Sequence, residues 1–396
     1  MEKLDNVINR QEKLNEELAI ICRDNDITNL RITSIGNSIA SGYSWFRTTK
    51  PLLLRNESLG KIMKAYDINL DLHQYARAQN NNDEHIFSWL SGNKTESEIQ
   101  KMNVNDYSGG RTSMPSNGLT QEDLKKYYPL AFHSSLENPI QDIIFESNES
   151  LANIVIYNGA TGSFLDNVTR NGKIPQMLTY GIKRDIKSLE ATLKFIQEQN
   201  RSKGSNTQVY LCGAPDFLGL HITEIINHKL KRVAKEYANV IYVEPIKSKF
   251  LYPSYEAEQK MSLEENQNIL KRLLMLRPDI HYDEIEYLKF NNNIIASIND
   301  NYQVLRAMVK VDRNLFSLSS KLELEEQAKI DDKDVVTSLI TDIISKENSS
   351  IDSKYHQDLF RERLTYYLKE RQPYDFYYLG NKNMEESIEE VKGKSL

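Results

Sequence analysis

From Thr28 to about Asp300, short apolar runs alternate with stretches in which apolar residues recur every three or four positions. The runs Leu30 to Ile35, Ile68 to Tyr75, Ile154 to Tyr157, Gln208 to Cys212 and Val240 to Val243 are compact, rich in β-branched or aromatic residues, and bounded by turn formers. Each predicts a strand. Ile182 to Gln199, Ile222 to Tyr237 and Ser262 to Leu276 carry helical spacing instead. Strand and helix in alternation are the signature of a parallel sheet covered by helices, because each crossover between parallel strands needs a connection long enough to hold a helix. The pattern predicts an α/β fold, an open three-layer α/β/α sandwich with a mainly parallel sheet.

Both flanks of this region read as helical. Residues 2–25 place Leu4, Val7, Gln11, Leu14, Leu18 and Ile21 alternately three and four apart, a seam that suits either a dimer zipper or a helix docked on its own domain. After Asp300 the alternation stops. Val304, Leu305, Met308 and Val309, then Val335, Leu339, Ile340 and Ile343, then Leu359, Phe360, Leu364 and Leu368 predict three amphipathic helices. The predicted organisation is an N-terminal helix over 1–28, an α/β domain over 29–300, a helical appendage over 301–380, and a loose charged tail over 381–396. The aromatic run Tyr374 to Leu379 is expected to pack on its own chain. Gly92 to Pro139 fits neither period, and a stretch of that length inside a domain reads as a lid or a surface insertion.

Composition narrows the function classes. A chain of 396 residues with 39% hydrophobic content can bury a sizeable core. The formal charge of −6, with basic residues spread among acidic ones, argues against nucleic acid as a partner. Two cysteines far apart, Cys22 and Cys212, supply neither a disulfide framework nor a Cys-x-x-Cys zinc pattern, which fits a reducing compartment. The start Met1-Glu2-Lys3-Leu4 is charged from the second residue, and no apolar run approaches the ~18 residues of a membrane span. A cytoplasmic location is the expectation.

The candidate chemistry begins at Arg31-Ile32-Thr33-Ser34-Ile35-Gly36-Asn37-Ser38, an apolar run that ends in a tight polar turn and presents Ser38 at the carboxyl end of the first strand. Open α/β sheets bind their ligands at that end. A serine nucleophile needs an imidazole to take its proton and donors for the oxyanion. Of the seven histidines, His73, His85, His221, His228 and His356 fall in predicted strands or helices and have structural readings. His133, in Phe132-His133-Ser134, is a weaker competitor. His281 lies in Arg277-Pro278-Asp279-Ile280-His281, after the last strand and its helix. Asp279 and His281 on one short loop can bond carboxylate to ring nitrogen, which leaves the other nitrogen for Ser38.

Four segments in order resemble the SGNH (GDSL-type) hydrolases: Gly36-Asn37-Ser38-Ile39, Asn158-Gly159-Ala160-Thr161-Gly162, Gly213-Ala214-Pro215, and Pro278-Asp279-Ile280-His281. The resemblance spans about residues 29–300. It implies a flavodoxin-like sheet with Ser38 as nucleophile, His281 as base, Asp279 as the orienting acid, and the Ser38 N–H as one oxyanion donor. The sequence departs from the family at three points. Asn37 stands where Asp is usual, and one residue rather than two separates Asp279 from His281, which leaves Asp283 as the alternative acid. Gly159-Ala160-Thr161-Gly162 replaces Gly-x-Asn-Asp, so the second donor falls to Asn158, Thr161 or Asn80.

The expected activity is a serine esterase that removes a small acyl group, acetyl by family tendency, from a carbohydrate or related substrate. Two alternatives stay open, an acyltransferase using the same site and a degenerate hydrolase that binds a glycan or protein partner. No metal, nucleotide or other cofactor is required, and the terminal helices are the expected surface for a second copy or a partner protein.

Overall fold

The computed structural model describes residues 4–36, 52–76, 132–134, 143–158, 182–215, 222–246, 251–253, 276–278, 282, 284–325, 333–370 and 381–393. Its centre is a six-stranded sheet: β1 (Asn29–Gly36), β2 (Asn69–Ala76), β3 (Phe132–Ser134), β4 (Leu151–Asn158), β5 (Thr207–Cys212) and β6 (Val240–Val243). The strand order is β3-β2-β1-β4-β5-β6, and every pairing is parallel. All five predicted strands are present. The sixth, β3, lies in the stretch read as irregular, where three residues are too few to show a period of two.

The sheet is covered on both faces, which is why its central strands are apolar on both sides. On one face Leu30, Ile32, Leu70, Leu72, Ile154, Ile156 and Tyr210 pack against α1 (Leu4–Asp24), α2 (Leu59–Ala65) and the first half of α5 (Glu284–Glu325). On the other face Ile35, Val155, Tyr157, Val209 and Leu211 pack against α3 (Ile182–Lys203) and α4 (Ile222–Lys235). This is the three-layer α/β/α sandwich.

The N-terminal helix docks on its own chain. Val7 and Leu18 are buried while Leu4 is exposed, and α5 grips α1 through Asn292 Nδ2 donating to the Val7 carbonyl and Asn299 Nδ2 donating to the Leu14 carbonyl, each at 2.9 Å. Both bonds tie the helix's backbone down on the chain that made it.

Two identical turns feed the first two strands. After α1, Asp26 takes a left-handed φ of 57°, and the Ile27 N–H reaches back to the Cys22 carbonyl at 2.8 Å. After α2, Asp67 takes a φ of 59°, and the Ile68 N–H reaches the Met63 carbonyl at 2.9 Å. These are Schellman closures with Asp in the left-handed position and a buried isoleucine just beyond. Each turns a helix end directly into a strand of the sheet.

Helix α5 runs unbroken through position 300 for 42 residues, so the first of the three helices read after Asp300 is the continuation of one that starts at Glu284. The other two are α6 (Lys333–Ser349) and α7 (Lys354–Glu370). Residues 381–393, read as part of a loose tail, form a helix, α8 (Asn381–Gly393). Ile388 and Val391, three apart, are buried with α6 and α7, and the charge around them hides so short a stripe in the sequence. The Ser262 to Leu276 helix, the Tyr374 to Leu379 run and the lid reading of Gly92 to Pro139 (β3 aside) fall outside the described residues, save that Leu276 opens β8 (Leu276–Pro278), paired antiparallel with β7 (Leu251–Pro253).

Candidate functional site

In a parallel sheet the ligand crevice opens where neighbouring strands send their connections to opposite sides. Here that point lies between β1 and β4, since β1 is followed in sequence by β2 on one side and flanked by β4 on the other. Gly36 ends β1 and is paired in register with Asn158, the last residue of β4. Tyr157 is paired with Leu211, so Asn158 is next in line to Cys212 at the end of β5. The carboxyl edge therefore carries Gly36, Asn158 and Cys212 side by side.

Asn158 is buried, and its Nδ2 has no hydrogen-bond partner among the described residues. A buried amide donor left unpaired costs about 1–3 kcal/mol, so such a group is retained where something else uses it. Burial pushes the Cys212 thiol and the Tyr282 hydroxyl well above their usual values, so both stay neutral at pH 7. Two residues before Gly36, the Ser34 hydroxyl is also buried without a partner among the described residues.

The loop after β5 is held tightly. The Gly213 N–H donates to the Val243 carbonyl at 2.9 Å, and Asn227 clamps Ala214 by accepting from its N–H at 2.8 Å and donating to its carbonyl at 2.9 Å. Glycine is needed at 213 because a Cβ there would lie 2.1 Å from the Tyr242 hydroxyl.

Ser38, Asn80, Thr161, Asp279, His281 and Asp283 lie outside the described residues, so of the site residues named from the sequence Asn158 alone has a described environment. The neighbours of the Asp279 to His281 segment are described. Pro278 ends β8, and Tyr282 is fully buried, edge-on to Tyr287 with ring centroids 5.4 Å apart. The Tyr282 hydroxyl accepts from the Ile246 N–H at 3.3 Å, three residues past the end of β6. Tyr282 is thus anchored at the carboxyl edge of the sheet, within electrostatic reach of Cys212.

A second polar cluster went unread in the sequence. Arg31 on β1 pairs with Asp71 on β2, and His73 Nε2 lies 2.9 Å from Asp71 Oδ1. Burial alone would raise the Asp71 carboxyl, but the imidazole of His73 and the guanidinium of Arg31 together hold it at about 2. The signal was the Asp71-x-His73 spacing, which on a strand puts both side chains on one face. That face is the α3 and α4 side, opposite to Leu70 and Leu72. His133, the weaker competitor, is paired in register with His73 across β2 and β3.

Among the described residues no helix is long and apolar enough to cross a membrane, and no group of three or more His, Cys, Asp or Glu is set to hold a metal ion. Compared with protein-family models, with curated proteins and with solved structures, the chain matches none.

Proposed function

We propose that this chain is a cytoplasmic serine esterase of the SGNH kind, in which Ser38 attacks a small acyl ester, His281 takes the serine proton, and Asp279 orients the imidazole. The acyl group is acetyl, carried on a carbohydrate or related metabolite. The observation that carries the reading is Asn158. Its unpaired amide sits buried beside Gly36, two residues before the proposed nucleophile. A donor in such a setting stabilises developing negative charge more strongly than one exposed to water. Asn158 then fills the place of the asparagine that the Gly159-Ala160-Thr161-Gly162 segment lacks. The anchoring of Tyr282 beside Ile246 adds support, because His281 precedes it by one residue.

The balance of the reaction is simple. The serine oxygen bonds to the acyl carbon, its proton passes to the imidazole and on to the leaving alcohol, and water then releases the acid by the reverse route. Hydrolysis of p-nitrophenyl acetate and labelling by a fluorophosphonate should both be lost in Ser38→Ala. Equal turnover in wild type and variant would remove this serine from the mechanism.

A further inference from the structure

Away from the sheet edge, α4, α7 and α8 line a half-open cavity of about 660 Å³. Five cations line it: Lys235 from α4, Arg361, Arg363 and Lys369 from α7, and Lys392 from α8. Two carboxylates, Asp358 and Glu362, share the wall. In a chain of net charge −6 such a local excess of positive charge runs against the average. Part of it is already balanced, since Arg361 Nη1 bonds Asp358 at 3.0 Å and Lys392 bonds Glu389 at 2.9 Å.

Arg363 is the residue that points to a ligand. Its Nε and Nη2 are both buried and have no hydrogen-bond partner among the described residues. These two nitrogens form one edge of the guanidinium fork, the edge that grips two oxygens of a phosphate or carboxylate at once. Burial pushes its pKa down to about 10, so the group is still cationic at neutral pH. A buried charge with an unpaired bidentate edge is costly; as placed, that edge is shut off from the cavity and lies toward Tyr210, and an anion in the adjoining cavity relieves the cost once the side chain turns toward it. Tyr366 adds a ring to the wall, with Lys235 Nζ 4.2 Å from its centroid.

We propose that this cavity binds a small organic phosphate, with Arg363 gripping the phosphoryl oxygens, Lys235 and Lys369 closing round them, and Tyr366 packing on the organic part. Inorganic phosphate alone is much smaller than the space, and sites for compact organic ligands run from about 300 to 1,000 Å³. The site is separate from the sheet edge and does not depend on the esterase reading.

The test is calorimetric titration of the full chain with AMP, glucose 6-phosphate and pyrophosphate as probes, beside inorganic phosphate and adenosine. At least one of the two organic probes, AMP and glucose 6-phosphate, is expected to bind saturably below about 1 mM, more tightly than pyrophosphate, and to raise the melting temperature, in line with ligand linkage. Inorganic phosphate should bind at least tenfold more weakly, and adenosine not at all. Arg363→Met should abolish binding. Lys369→Gln and Lys235→Gln, at exposed positions where folding is not at stake, should each weaken it at least fivefold. Absence of binding by both AMP and glucose 6-phosphate, affinity unchanged in both lysine variants, or inorganic phosphate or pyrophosphate binding as tightly as the best organic probe would overturn the proposal. Hydrolysis of p-nitrophenyl acetate, followed in the same variants, keeps this outcome apart from that of the Ser38 test.

Discussion

Asn158 stands directly across the β1–β4 ladder from Gly36, at the point where the sheet's connections diverge. Its free Nδ2 separates a chemical role from a structural one, because removing that amide breaks no hydrogen bond to a described residue. Asn158→Ala is expected to lower kcat on an acetyl ester by roughly 100-fold to 1000-fold, the usual cost of losing one oxyanion donor. KM should change little, since the donor acts on charge that develops only in the transition state. Unfolding in urea checks the other half. A variant that loses kcat while keeping its midpoint near wild type supports the role, and one with wild-type kcat ends it.

Arg201 on α3 and Asp312 on α5 form a two-pronged pair, Nε to Oδ2 at 2.8 Å and Nη2 to Oδ1 at 2.9 Å, almost fully shut off from water. Tyr367 of α7 donates to the same Asp312 at 2.6 Å, and Gln197 of α3 donates to Tyr367 at 3.1 Å. One carboxylate thus joins the sheet's covering layer to the helical region. Asp312→Ala removes the carboxylate that both prongs of a buried guanidinium grip and should cost about 3–5 kcal/mol in urea unfolding. The double variant Arg201→Met with Asp312→Leu should recover most of that loss. Equal destabilisation by the double variant would mean that packing rather than charge pairing dominates at this junction.

The sheet was legible because its strands are buried on both faces, and compact runs such as Ile154 to Tyr157 and Gln208 to Cys212, too short for a helix, rich in β-branched and aromatic residues and bounded by turn formers, read as strands. Short elements were not. The seven residues of α2 and the three of β3 are held by their neighbours, through the Asp67 turn in one case and pairing with β2 in the other. The continuity of α5 through Asp300 was hidden because one end packs on the sheet and the other on helices, so its apolar stripe changes face along its length. Of the candidate site, only its place at the sheet's carboxyl edge was legible. Turn chemistry marked Gly36 and Asn158 as edge residues, but which of Asn158, Thr161 and Asn80 would be a buried donor is set by tertiary packing. Arg363 was invisible for the same reason, since Arg361-Glu362-Arg363 in a helix reads as a solvated face.

Acid should weaken the β1–β2 pair through Asp71. Its carboxyl lies at about 2 in the fold against an ordinary 3.8, so the folded state binds that proton less readily than the unfolded chain. The stability it contributes is fully present above about pH 4 and is lost as pH falls toward 2. Urea midpoints between pH 6 and pH 2.5 should therefore drop less steeply for Asp71→Asn than for wild type, with the two curves converging at the acid end. Parallel curves would show that the pair with Arg31 and His73 carries no net linkage.

Both thiols should be silent in the folded protein. Cys22, at the end of α1, is pushed up to about 12 by burial, and Cys212 is pushed higher still. Only the thiolate reacts with a disulfide reagent, so at pH 8 its share at Cys22 is on the order of one part in ten thousand. Neither cysteine should react with dithionitrobenzoate at pH 8 within an hour, and both should react at once in guanidinium chloride. Cys212 carries the sharper test, because it stands next in line to Asn158 on the carboxyl edge. If Cys212 were labelled in the folded protein as fast as a free thiol, water would reach that edge. The enclosed setting that makes the Asn158 amide a strong donor would then be lost, and the expected catalytic loss in Asn158→Ala would shrink toward that of an exposed hydrogen bond.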